Sequence, residues 1–186
     1  MNHQGARQLR AIVTSAVMAA LALTLPMVFH VVGLGSKFLP MLLPLLLNAI
    51  LSPPRWAGLT AFVVPLASAV LTGMPPLYPP AALVMSVEAA AMAVVGALLY
   101  HATRPRIWPA LTAAVLVNRL TSFGLMWWLA GQFGLPAGIT ATAVLLKSLP
   151  GVVLMLTVIP LVVRALSRRP GLLFRDDEES EAAVFQ

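Results

Sequence analysis

Apolar residues run along this chain in long blocks, separated by short clusters of Gly, Pro and basic residues. The blocks are nearly all apolar, so each reads as a helix whose rotation the pattern leaves undefined. An apolar helix needs about 20 residues to cross the hydrocarbon core of a bilayer, with a range of about 17–25. Six blocks predict crossings: Leu9–Phe29, Phe38–Leu51, Trp56–Leu71, Ala81–Tyr100, Trp108–Gly131 and Thr140–Val163. The second and third are short and hold Pro40, Pro44 and Pro65, which predicts kinks, or a segment that is partly loop or re-entrant. Membrane helices tolerate such prolines where neighbours satisfy the freed carbonyls. The expected fold is an all-α membrane protein of six transmembrane helices. Residues 1–8 form a cytoplasmic tip, 9–166 the membrane domain, and 167–186 a charged tail expected to be disordered.

Composition supports a membrane class. The chain is 60% hydrophobic and only 10% charged, against about 25% charged for an ordinary soluble domain. The basic residues sit mostly between the blocks, and alternate gaps hold them. Arg7 and Arg10, Arg55, Arg104 and Arg106, and Arg164, Arg168, Arg169 and Arg175 all fall on one side if six spans are crossed. The opposite gaps hold only Lys37. The excess of Lys and Arg in cytoplasmic loops then places both termini in the cytoplasm of a bacterial cell membrane. The acids cluster in the tail "RDDEESEAAVFQ", so the high pI reflects membrane orientation rather than nucleic-acid binding. The first block is longer than a signal-peptide core, and no A-x-A site follows it.

Chemistry is sparse. The chain has no cysteine, and His3, His30 and His101 show no metal-ligand spacing, so no metal or cofactor is expected. Three ionisable residues lie inside blocks: Glu88, Arg119 and Lys147. Such residues are expensive in a bilayer and mark functional interiors. Glu88 and Lys147 are each about seven residues below the outer end of their block, or roughly 10 Å deep at 1.5 Å per residue. Arg119 lies near the middle of the fifth. Glu88 paired with Arg119 or Lys147 would form a purely structural bridge, but one positive charge then remains to be balanced. An anionic ligand is a natural partner, because a guanidinium grips a carboxylate with two prongs. Asn118 adds an amide, either for the ligand or for a neighbouring helix. Lys147 alternatively extends toward the outer surface.

Two outer segments flank this interior. "LTGMPPLYPP", Leu71 to Pro80, pairs Gly73 with four prolines, which suits either a rigid hairpin or a cover whose Met74 and Tyr78 touch a ligand. "HVVGLGSKF", His30 to Phe38, carries Lys37 beside two glycines. In the first block, Ala16 and Ala20 form one small-residue series, and Ala11, Ser15 and Ala19 another. Either lets a helix approach closely, within this chain or from a partner.

The order of these features resembles a known family. It runs from an A-x-x-x-A first helix through "HVVGLGSKFLPM", "SPPRWAGL" and "LTGMPPLYPP". It continues with a Glu in the fourth helix, an Arg in the fifth and "LPGVVLMLTVIPLVV" in the sixth. It is similar to the substrate-binding S component of an energy-coupling factor (ECF) transporter, from about Ala16 to Val163. The resemblance implies a six-helix, non-enzymatic subunit that captures a water-soluble vitamin or precursor from outside. It implies docking through Ala16 and Ala20 on a transmembrane coupling subunit that carries two ATPase subunits. The outer loops around Gly33–Phe38 and Thr72–Tyr78 are then expected to close over the substrate. Relatives commonly read "PMH" where this chain has Leu42 after Pro40 and Met41, which leaves the substrate open. Site candidates are Glu88, Arg119, Lys147, Asn118, Met74, Tyr78 and Lys37. A carboxylate such as pantothenate fits the charge sum; a neutral pyrimidine fits if Glu88 is paired internally. A six-span structural scaffold of cell-envelope synthesis is the alternative. An intramembrane enzyme is disfavoured, because Glu88 is the only acid within the blocks.

Overall fold

The computed structural model describes residues 3–31, 40–78, 80–103, 107–132, 142–143, 146 and 148–168. Its elements are α1 (His3–Val31), α2 (Leu42–Leu51), α3 (Pro54–Thr72), α4 (Ala81–Ala102), α5 (Ile107–Gln132) and α6 (Leu149–Ser167). Five of them are long and apolar enough to cross a membrane, and α2 is a shorter apolar helix. The all-helical class therefore holds, as five membrane-length helices plus one short one. Of the expected sixth span, Thr140–Val163, the described helix begins at Leu149.

Local chemistry explains the boundaries. The second block was expected from Phe38, yet its helix is confined to Leu42–Leu51. Pro44 removes an N–H and its ring collides with the carbonyl four residues back, so a first turn accommodates it most easily. A start at Leu42 puts it there. Ser52 precedes Pro53 and is extended, at φ −133° and ψ 154°, because a following proline disfavours the helical region. Pro54 then opens α3 in the first turn, where a missing N–H costs nothing. At the far end Gly73 adopts φ 74° and its N–H donates to the Ala69 carbonyl at 3.0 Å. A left-handed residue here closes the helix, and glycine takes it without strain.

The short helix is the centre of the bundle. Nine of its ten residues, all but Leu43, are buried. It packs on α1, α3, α4 and α6, while α3, α4 and α5 pack side by side along their lengths. Small residues set the close approaches. A Cβ at Gly96 of α4 would lie 3.2 Å from Ala114 Cβ, 3.4 Å from Leu46 Cδ1 and 3.6 Å from Ala49 Cβ. One at Gly58 of α3 would lie 2.6 Å from Val94 Cγ2. Backbones that approach this closely gain dispersion contacts, which drive helix association where the hydrophobic effect does not act.

One polar knot ties α1 to α2. Ser15 Oγ donates to Asn48 Oδ1 at 3.2 Å, and Ser52 Oγ donates to the same oxygen at 2.8 Å. All three residues are buried. Hydrogen bonds between membrane helices average about 0.6 kcal/mol and reach about 1.7. Ser15→Ala is therefore expected to lower stability by no more than that range, read as a small fall in unfolding temperature in detergent. A loss of several kcal/mol would show that the knot, rather than packing, holds α1.

Candidate functional site

The buried faces of α4 and α5 meet along Glu88, Ala89, Met92, Ala93, Gly96 and Ala97 of one helix and Ala110, Leu111, Ala114, Val115, Asn118 and Ser122 of the other. Alanine and glycine dominate this seam except at one level. There Glu88, Asn118 and Ser122 are all at most 5% exposed. Asn118 and Ser122 are one turn apart, so both project from the same face of α5. Ser122 and Arg119 are the side chains that act on the Glu88 carboxylate.

Arg119 is half-buried and ties a third helix into the cluster. Its Nε donates to Asn118 Oδ1 at 3.1 Å, and Nη2 donates to the same oxygen. Its Nη1 donates to Ser148 Oγ, just before α6 begins. Ser148 is itself buried. One carboxylate, one guanidinium, one amide and two hydroxyls thus converge from α4, α5 and the α6 start. Two atoms remain over. Glu88 Oε2 and Asn118 Nδ2 are buried and have no hydrogen-bond partner among the described residues. Together they offer one acceptor and one donor to a polar guest.

The structure therefore brings together three residues singled out from the sequence, Glu88, Asn118 and Arg119. Ser122 and Ser148 were missed. The first is signalled only by its spacing of four from Asn118, and the second only by its place beside Lys147. Lys147 and Lys37 lie outside the described residues, as does the loop at 32–39. Met74 and Tyr78 are exposed rather than part of the cluster, at 56% and 80%. Their segment is nonetheless held. Ser68 Oγ donates to the Met74 carbonyl at 2.7 Å, Thr72 Oγ1 donates to it at 3.1 Å, and the Ala82 N–H donates to the Pro76 carbonyl at 3.2 Å.

The two small-residue series of α1 separate cleanly. Ala11 and Ser15 are buried, and Ala19 packs against the core. Ala16 and Ala20 are exposed, in a strip with Leu9, Ile12, Val13, Val17 and Leu21. Among the described residues no three His, Cys, Asp or Glu side chains gather as metal ligands. The arrangement gathers hydrogen-bonding groups of the kind that hold a small polar molecule.

The chain matches the family model for the substrate-specific component of ECF transporters over residues 10–165. Nothing matches it among curated proteins or among solved structures. A family match over most of the chain, on a bundle with five membrane-length helices, is sufficient. The chain belongs to the substrate-specific components of ECF transporters, which are multi-pass membrane proteins that bind substrates for transport and are not enzymes.

Proposed function

We propose that the chain captures a water-soluble vitamin or vitamin precursor at the outer face of the cytoplasmic membrane. It then hands this cargo to a module of one transmembrane coupling subunit and two ATPase subunits. In this reading both termini are cytoplasmic, in accord with the bias of Arg and Lys along the sequence. The observation that carries the proposal is the cluster of Glu88, Asn118, Arg119, Ser122 and Ser148 inside an otherwise apolar bundle. A scaffold has no need of polar atoms left over at the centre of its seam. Arg119, with Lys147 from the adjoining segment, balances a carboxylate on the cargo, for which pantothenate is the model. The stiff segment from Thr72 to Tyr78 covers the site, with Lys37 in the opposing loop.

A second reading rests on a specific observation. Arg119 acts electrostatically on Glu88, and both are engaged with neighbouring serines. The described cluster is then internally neutral, and its spare acceptor and donor fit the amide-like edge of an uncharged heterocycle such as a pyrimidine. Thermal unfolding of the purified chain against a panel of water-soluble vitamins and precursors separates the two. A ligand that binds only the folded chain stabilises by RT ln(1 + [L]/Kd), about 4 kcal/mol at a thousandfold excess over Kd. A hit among acids supports the carboxylate reading, and a hit among neutral heterocycles the other. Silence from a well-folded sample across the whole panel would sink the vitamin proposal.

The exposed face of α1 supplies the docking surface for the coupling subunit in this reading. Replacing Ala16 and Ala20 together by leucine should weaken capture of the module at least about tenfold, by pushing apart backbones that pack through small residues. Substrate affinity should be unchanged, because neither side chain points into the bundle. Undiminished capture would remove this face from the interface.

A further inference from the structure

The inner cluster has unused hydrogen-bonding capacity of a definite kind. A guanidinium holds five N–H donors. Arg119 directs its Nε N–H and one N–H of Nη2 to Asn118 Oδ1, and one N–H of Nη1 to Ser148 Oγ. One N–H on each of Nη1 and Nη2 is left over. Asn118 Nδ2 adds its own pair, which meets no acceptor among the described residues. This nitrogen belongs to the same amide whose oxygen the guanidinium grips, so all these donors stand side by side. Glu88 Oε2 is a buried oxygen that likewise meets no donor among the described residues. Asn118 and Glu88 are 2% and 5% exposed, so bulk solvent does not reach them.

Hydrogen-bond valence and charge together select the guest. Satisfying the donors takes about four acceptor positions in one compact group, and a carboxylate offers about four on its two oxygens. It is also the group that a guanidinium holds best. Glu88 Oε2 needs the reverse, a donor. Within the cluster, one carboxylate and one guanidinium act on each other and sum to zero. A simple acid would add a negative charge that these groups do not balance, and an unbalanced charge in an apolar interior is costly. An uncharged guest would give the guanidinium a weaker acceptor than a carboxylate. A zwitterion meets both demands. Its carboxylate faces Arg119 and Asn118, its ammonium faces Glu88, and the sum stays zero. We propose that the cargo is a small amino acid, or a precursor that keeps both a free ammonium and a free carboxylate. This rests on the reading of the cluster as the cargo site, and narrows the class of cargo within it.

The test is thermal unfolding of the full purified chain with the common α-amino acids, β-alanine and γ-aminobutyrate, beside pantothenate and neutral pyrimidines. An amino acid is expected to raise the unfolding temperature. Its carboxamide, which lacks the carboxylate, and its N-acetyl derivative, which lacks the ammonium, should each bind at least about tenfold more weakly, because each loses one charge-assisted contact. Glu88→Gln leaves Arg119 in place and removes the partner of the ammonium. It should weaken the amino acid at least about tenfold and shift preference toward the N-acetyl acid, whose single charge Arg119 then balances. A purely structural role for Glu88 would weaken both ligands alike. Equal binding of the amino acid and its N-acetyl derivative by the parent chain, or parallel losses in Glu88→Gln, would overturn the proposal. The parent-chain comparison decides even if Glu88→Gln does not fold. Stabilisation by pantothenate or a pyrimidine alone would overturn the zwitterion and leave the cluster as a cargo site, whereas silence across the whole panel would overturn both.

Discussion

Arg119→Ala is expected to abolish substrate binding and to destabilise the bundle at the same time. Glu88 is 5% exposed, and Arg119 is the charge that acts on it. Removing Arg119 leaves this buried carboxylate without the charge that acts on it, which lowers stability. The hydrogen bonds to Asn118 and Ser148 go as well, which frees the start of α6 from α5. Loss of binding alone would thus be ambiguous. The double variant Arg119→Ala/Glu88→Gln resolves it, since it removes both charges and should recover most of the lost stability. If Arg119 or Glu88 touches the cargo, the double variant stays folded and still binds at least about 100-fold more weakly. This is the scale set by losing one charge-assisted contact of about 3 kcal/mol. Restored affinity in the double variant would make the pair a structural bridge only. Calorimetric titration with the ligand found by the thermal screen, alongside detergent unfolding, gives both readings.

The second large effect is expected at Gly96, away from any ligand. Leucine there must find room against Ala114 Cβ and Ala49 Cβ, which have no rotamer by which to move aside, and against Leu46 Cδ1, which can shift. Overpacking a well-filled core costs about 1–3 kcal/mol when the surroundings adjust, and more when they do not. Gly96→Leu should fall at or beyond the upper end and leave little folded protein at room temperature. Gly96→Ala should cost less than about 1 kcal/mol, because its contacts are only a few tenths of an ångström too close and alanine is the better helix former. Gly124→Leu is the control: nothing lies within 4 Å of a Cβ there, so its unfolding temperature should be nearly that of the parent. Similar unfolding temperatures for Gly96→Leu and Gly124→Leu would mean that α2, α4 and α5 do not meet as described.

Long apolar runs made the helices legible, because length alone distinguishes a membrane-length segment. The second block misled on extent, since an apolar run looks the same whether it faces lipid or is enclosed by protein. Its prolines were the better guide. Glu88 and Arg119 stood out because ionisable side chains within apolar helices are rare. Ser122 and Ser148 did not, because serine is commonplace in such helices and the pattern of α5 does not reveal which way it is turned. The same blindness applied to α1. Ala16/Ala20 and Ala11/Ser15/Ala19 have identical spacing, and only the packed bundle separates an outward face from an inward one.

The enclosure of α2 also bears on how the chain enters the membrane. Ten residues rise about 15 Å, half the hydrocarbon thickness, so this segment is too short to be retained in a bilayer as an independent span. Its walls come from α1 before it and from α3, α4 and α6 after it. During synthesis the second segment to emerge is thus among the last to reach its final depth, waiting on helices not yet made. A ribosome stalled after α3 should hold a chain in which α2 is still within reach of water-soluble reagents, and release of α4 through α6 should close it off.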